Sequence, residues 1–195
     1  NGSICGVDTT KFKKNLSTKL SIRKKLNIEK KSIVLTYVGR LNSEKGILNL
    51  LNIFKKIIIT KKNVYLLLIG SDEMNIKKII NNNIYSKKLI ILNYQKNIHF
   101  FLQASDIFCF PSEREGFGLS VIEASACELP VVCSNIYGLR DTIVHNTTGY
   151  KFRLNNKLEM YNYLIKLIQD KNKRTRLGSQ GRDFVKSCYE KKKLF

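Results

Sequence analysis

Apolar residues fall in short continuous blocks along this chain. Ile33-Val34-Leu35-Thr36-Tyr37-Val38 ends at Gly39, and Val64 to Ile69 ends in the same way at Gly70. Shorter blocks follow at Lys88 to Leu92, Ile107 to Phe110 and Pro130 to Cys133, and Gly149-Tyr150-Lys151-Phe152 closes the series. Runs of this length bounded by turn residues predict buried strands. The stretches between them have helical spacing. Gly46 to Ile59 places Ile47, Leu50, Leu51 and Phe54 on one side. Weaker or shorter helices are predicted at 17–26, Glu73 to Asn82, Asn97 to Gln103, Gly118 to Cys127 and Gly138 to Val144. The tail from Asn156 to Lys191 reads as two helices, the first marked by Leu158, Tyr161, Leu164 and Leu167, the second by Leu177, Phe184 and Val185.

Strands that alternate with helices, and are apolar throughout, belong to a parallel sheet covered on both faces. The fold class expected is therefore α/β, a Rossmann-like doubly wound parallel sheet with right-handed crossovers. Ligands in such sheets bind beyond the carboxyl ends of the strands. Chemistry-bearing residues cluster there. After the block at Ile107 comes Pro111-Ser112-Glu113-Arg114-Glu115-Gly116-Phe117-Gly118-Leu119-Ser120-Val121-Ile122-Glu123-Ala124. A strand, a glycine-containing loop and a helix start aim backbone N–H groups and the positive helix end at one crevice, which suits phosphate. Glu115 and Glu123 are eight residues apart. Two helical turns take about 7.2 residues, so the pair shares one face if the loop continues the helical path. Carboxylates beside a phosphate site are better suited to accepting from sugar hydroxyls than to meeting the phosphate. After the first strand, Gly39-Arg40-Leu41-Asn42-Ser43-Glu44-Lys45-Gly46 supplies Arg40 as a fork and Lys45 as a point charge for a diphosphate.

Composition narrows the classes. A hydrophobic content of 43% supports a sizeable core and argues against disorder. No apolar stretch reaches about 18 residues, so no spanning helix is predicted. Nothing at the start resembles a secretory leader, which points to a cytoplasmic protein. The formal net charge is +20. Lys, Asn and Ile rise together in this sequence, so the charge reads first as solvated faces of a biased composition. An anionic membrane surface is the next candidate partner, with the protein peripheral on its inner face. Nucleic acid is not expected, because the basic stretches lack interleaved aromatics and any recognised motif. Five cysteines show no paired spacing and only two His residues are present, so no metal site is expected. Cys109 and Cys133 read as core residues.

Taken together these segments resemble the nucleotide-sugar-dependent glycosyltransferases of the two-Rossmann GT-B type, in the retaining family 4 (group 1). The resemblance rests on Gly6-Val7-Asp8-Thr9 with Phe12, on Tyr37-Val38-Gly39-Arg40-Leu41 with Lys45-Gly46, and on Ala104-Ser105-Asp106. It continues through the Glu115 to Glu123 stretch, Pro130-Val131-Val132, Gly138 and Thr148-Gly149-Tyr150. It covers the carboxyl-terminal, donor-binding half of such enzymes. It implies that residues 1–12 are an interdomain join, that 13–195 form the nucleotide-sugar-binding domain, and that an amino-terminal acceptor domain is absent here.

The resemblance further implies a sugar transferred with retention from a nucleoside-diphosphate sugar to a saccharide or lipid-linked acceptor in polysaccharide biosynthesis. That is a hexosyltransferase-type activity, with this piece inactive alone. Arg40, Lys45 and Glu115 are the implied catalytic residues. Arg40 and Lys45 neutralise the diphosphate, so no metal and no cofactor is called for. Glu115 contacts the transferred sugar and Glu123 the ribose. Gly39, Gly116 and the backbone N–H groups of Phe117, Gly118 and Leu119 face the diphosphate and sugar, and Tyr94 and Gln95 pass near the base. The competing expectation is a catalytically inactive nucleotide-sugar-binding module or relic. Two departures stand out. Gly70-Ser71-Asp72 replaces a Gly-x-Gly, and Glu128 replaces a glycine before Leu129-Pro130, where a harmless surface cap is the favoured reading.

Overall fold

Six parallel strands form the centre of the molecule. The computed structural model describes residues 6–80 and 87–191. The start of the expected join, Asn1 to Cys5, and the end of the helix expected to reach Asn82 lie outside them. The strands are β1 (Ile33–Val38), β2 (Val64–Ile69), β3 (Leu89–Leu92), β4 (Ile107–Phe110), β5 (Val131–Ser134) and β6 (Gly149–Phe152). Their order across the sheet is β3-β2-β1-β4-β5-β6, all parallel. This is the order of a dinucleotide-binding Rossmann sheet, and the chain reverses its winding between β1 and β4. The apolar blocks form strands because both faces are covered. Leu35, Leu66, Leu67, Phe108, Cys109, Val131 and Val132 have no exposure at all.

The helices are α1 (Leu16–Lys25), α2 (Ile47–Thr60), α3 (Ile76–Ile79), α4 (Ile98–Ala104), α5 (Leu119–Ala126), α6 (Lys157–Gln169) and α7 (Lys171–Cys188). Asn15 caps α1 by accepting from the Thr18 N–H, and Asp170 caps α7 through the Lys173 N–H. The expected α2 stripe is buried as predicted, with Ile53 and Ile57 added. On α6 the buried stripe is Met160, Leu164 and Leu167, while Leu158 is exposed.

Two helices are shorter than expected. Asn75 adopts φ 52°, and the Asp72 carboxylate accepts from the Met74 and Ile76 N–H groups. The Asx-type turn uses up the residues from Glu73 onward and delays the helix to Ile76. After β5, Gly138 to Val144 gives only a 3-10 turn at Tyr137–Leu139. Glu128 is not an unstrained cap. It closes α5 at φ 60°, the left-handed region, with its carboxylate 3.1 Å from Lys14. A Cβ at Gly178 on α7 would lie 2.1 Å from the Glu128 carbonyl oxygen, so α7 packs directly on this corner.

Residues 7–12 are fastened to the body. Val7 N–H donates to the Tyr189 carbonyl and Lys191 N–H to that of Val7. Arg182 holds the Thr9, Phe12 and Ala126 carbonyls. Asp106, just before β4, accepts from the Val34 N–H at 2.7 Å, Arg23 at 2.5 Å and Lys19 at 2.6 Å.

Candidate functional site

The loops after β1 and β4 meet beyond the strand ends, at the reversal point of the sheet. They touch backbone to backbone. Glu113 N–H donates to the Glu44 carbonyl at 2.8 Å, and a Cβ at Gly46 would lie 2.2 Å from the Pro111 carbonyl oxygen. Gly46 has φ 67°, so only glycine fits both the turn and the approach. Asn42 caps this loop by accepting from the Lys45 N–H. Lys45 is thereby placed to donate to Glu115 at 2.7 Å and to the Arg114 carbonyl at 2.8 Å. Both side chains are largely shielded, at 13% and 16% exposure. A shielded pair of this kind holds more firmly than a surface ion pair.

Glu115 and Glu123 do not share a helical face. Gly118 sits at φ 68°, and α5 begins only at Leu119. The residues from Glu115 to Gly118 are loop, so the spacing of eight does not act as two turns. The two carboxylates have separate settings. Glu115 is paired with Lys45. Glu123 projects from α5 into a cleft of about 470 Å³ that it shares with Arg40, Gly39, Tyr94 and Gln95. Among the described residues its carboxylate meets no hydrogen-bond donor. Burial pushes its pKa up from 4.5 to about 7, with Lys11 pulling partly in the other direction.

Arg40 reaches into solvent and pairs loosely with Glu73 at 3.6 Å. Its position is set by Tyr37, whose buried hydroxyl donates to the Arg40 carbonyl. Gly39 has φ 154°, and its carbonyl lies so near Gly70 that a Cβ there would come within 1.9 Å. In the Gly70-Ser71-Asp72 segment, Gly70 thus makes a close backbone contact with Gly39, and Leu41 N–H donates to the Ser71 carbonyl. Tyr94 is 78% exposed at the cleft edge. Phe117 packs edge-on against Tyr189, at 5.6 Å between ring centroids, while Gly116 and Leu119 face outward. Gly118 starts α5 with no side-chain cap, leaving that helix end to other acceptors.

Sequence reasoning missed Lys11 and undervalued Phe12, which line the same cleft from the amino-terminal segment. Tyr37 enters the sequence reading as a strand residue and within the Tyr37 to Leu41 segment of the resemblance, and its contact with the Arg40 carbonyl has no local signal. Burial raises the thiols of Cys109, Cys127 and Cys133, so these cysteines are packing residues. Among the described residues no three His, Cys, Asp or Glu side chains gather as metal ligands would, and no helix is long and apolar enough to cross a membrane.

Known proteins share this fold. The family model for glycosyl transferases group 1 matches residues 18–184. The chain is 33% identical over 198 aligned residues to the capsular polysaccharide biosynthesis glycosyltransferase CapM of Staphylococcus aureus, covering 96% of this chain and 50% of that protein. It is 31% identical to the UDP-Gal:alpha-D-GlcNAc-diphosphoundecaprenol alpha-1,3-galactosyltransferase of Escherichia coli, covering 85% of this chain and 44% of that protein. Anabaena Alr3699/HepE, solved in complex with UDP-glucose, superposes with a TM-score of 0.86 at 21% identity, covering 95% of this chain and 52% of that one. The chain thus spans about half the length of the curated relatives it matches. The strand order, the glycine-bound loops at the reversal point and the match across most of the sequence agree, and the chain belongs to the glycosyl transferases of group 1.

Proposed function

We propose that this chain is the donor-binding half of a retaining glycosyltransferase that takes a nucleoside-diphosphate hexose and serves a saccharide or lipid-linked acceptor in polysaccharide biosynthesis. The observation that carries this is the Glu123 carboxylate, which lies in a cleft beside Arg40 and Tyr94 with its pKa raised by burial. Burial disfavours its ionised form, and a ligand that supplies hydrogen-bond donors offsets that cost. Two ribose hydroxyls do so, and Tyr94 offers the adjacent base an aromatic face. Arg40 and Lys45 bring cations to the diphosphate, and the uncapped start of α5 brings backbone N–H groups. These groups favour the charge that grows on the departing diphosphate, so rate is gained by leaving-group stabilisation and positioning. Glu115 turns from Lys45 to the hydroxyls of the transferred sugar.

The UDP-glucose in the Anabaena structure is the kind of donor this reading calls for, and the name of the E. coli relative supplies an example of a lipid-linked acceptor. Such an acceptor lies at a membrane, and the +20 charge draws the chain toward an anionic surface.

Calorimetric titration with UDP, GDP and ADP tests the reading. Binding of at least one of them is expected, indifferent to EDTA and weakened roughly tenfold or more by Glu123→Ala or Lys45→Ala, each of which removes a charge-assisted contact. Tight RNA binding with no nucleoside-diphosphate binding overturns it.

A further inference from the structure

Tyr137 is 85% exposed, the most exposed aromatic side chain among the described residues whose exposure is resolved. Its backbone is nevertheless fixed. The 3-10 turn at Tyr137–Leu139 closes with Leu139 N–H donating to the Ile136 carbonyl and Arg140 N–H to that of Tyr137. The turn rests on the loop before α5 at two points. A Cβ at Gly138 would lie 2.0 Å from the Glu115 carbonyl oxygen and 3.0 Å from that of Gly116. On the other side, fully buried Leu139 lies against Gly118, 2.3 Å from where a Cβ would stand. The residue before Gly138 is therefore held at the rim of the Glu115 loop. It does not contribute to the core.

An exposed tyrosine leaves its ring in water. Here the Arg140 guanidinium lies 5.5 Å from the ring centroid and narrows its swing, and Arg140 is itself anchored where Lys151 donates to its carbonyl. A rigid backbone, a restrained ring and a sugar-reading carboxylate on the abutting loop make a surface for a flat apolar ligand face with polar edges. A pyranose has that shape: its axial C–H groups form an apolar face and its hydroxyls point outward.

We propose that Tyr137, restrained by Arg140, is a stacking platform for a pyranose ring bound next to Glu115. The ring belongs either to the hexose of the donor or to a saccharide acceptor. Both present the same face. The proposal rests on the donor-site reading of Glu115 and Glu123 and adds a residue from a different loop.

The test uses the 195-residue chain. Wild type, Tyr137→Ala and Tyr137→Phe are titrated with UDP and with UDP-glucose by calorimetry. In saturating UDP they are probed by saturation-transfer NMR with methyl glucosides, methyl galactosides and maltose. UDP binding is expected to be equal in all three. Tyr137→Ala weakens one sugar arm roughly three- to tenfold, the scale of an aromatic stacking contact, and Tyr137→Phe keeps it. Loss confined to UDP-glucose assigns the platform to the donor hexose, and loss confined to free saccharides assigns it to the acceptor. Normal UDP binding with both sugar arms absent or indifferent to Tyr137→Ala overturns the platform alone. No UDP binding by wild type overturns the donor site and the platform with it.

Discussion

Glu123 sits on the border between structure and function. Its neutral form is the one the cleft prefers, because burial lifts its pKa from 4.5 to about 7. A raised folded-state pKa means that Glu123's contribution to stability is fully present below about pH 4.5 and is lost as pH climbs through about 7. Glu123→Gln removes that dependence. In urea denaturation, wild type is expected to weaken relative to Glu123→Gln between pH 5 and pH 8. The ceiling is about 3 kcal/mol, reduced because water still reaches the carboxyl. Donor binding has the opposite sign. Ribose hydroxyls donate best to the ionised carboxylate, so UDP-glucose, which does not itself titrate in this range, should bind roughly tenfold tighter at pH 8 than at pH 6. A flat profile in wild type, or an unchanged slope in Glu123→Gln, excludes Glu123 as the group responsible.

At the scale of elements, the corner after α5 carries a stored cost. Glu128 holds φ 60° with only a partly exposed partner, Lys14, to offset it. Glycine occupies that region freely, so Glu128→Gly should stabilise the domain by about 1 kcal/mol in thermal or chemical unfolding. Destabilisation would mean that the Lys14 contact outweighs the backbone term. The same corner shows what the sequence could convey. Strand blocks such as Ile33 to Val38 were readable because both faces are buried and nothing competes with the apolar signal. Helix limits were not readable ahead of α3, where the Asp72 carboxylate accepts from the Ile76 N–H and the Asn75 backbone turns left-handed. The site was legible where it follows strand ends, and Arg40, Tyr94, Gln95 and Glu123 do line one cleft. The shared face of Glu115 and Glu123 failed because Gly118 turns left-handed before the helix starts. Lys11 and Tyr37 went unread because their contributions depend on contacts far along the chain.

Across the whole molecule, the end of the sheet opposite the site is tied together by one carboxylate. Asp106 receives a strand N–H, an almost fully buried Arg23 and Lys19. Arg23 also spans the Ala104, Lys30 and Ser32 carbonyls, joining α1, β1 and the start of β4. Removing one member leaves the others as buried charge. Asp106→Asn should therefore cost on the order of 3–5 kcal/mol, read as a lower denaturation midpoint, while nucleoside-diphosphate affinity of the folded fraction stays the same. A loss below about 1 kcal/mol would show that water replaces the carboxylate there.

Lys45 and Glu115 hold each other 2.7 Å apart, shielded from water on both sides. An inorganic phosphate that claims Lys45 leaves Glu115 as an uncompensated anion facing another anion. A ligand that brings a phosphate for Lys45 and a hydroxyl for Glu115 satisfies both when they part. On the proposed donor reading, the pair would act as a lock with two keys, closed to anions that carry only one.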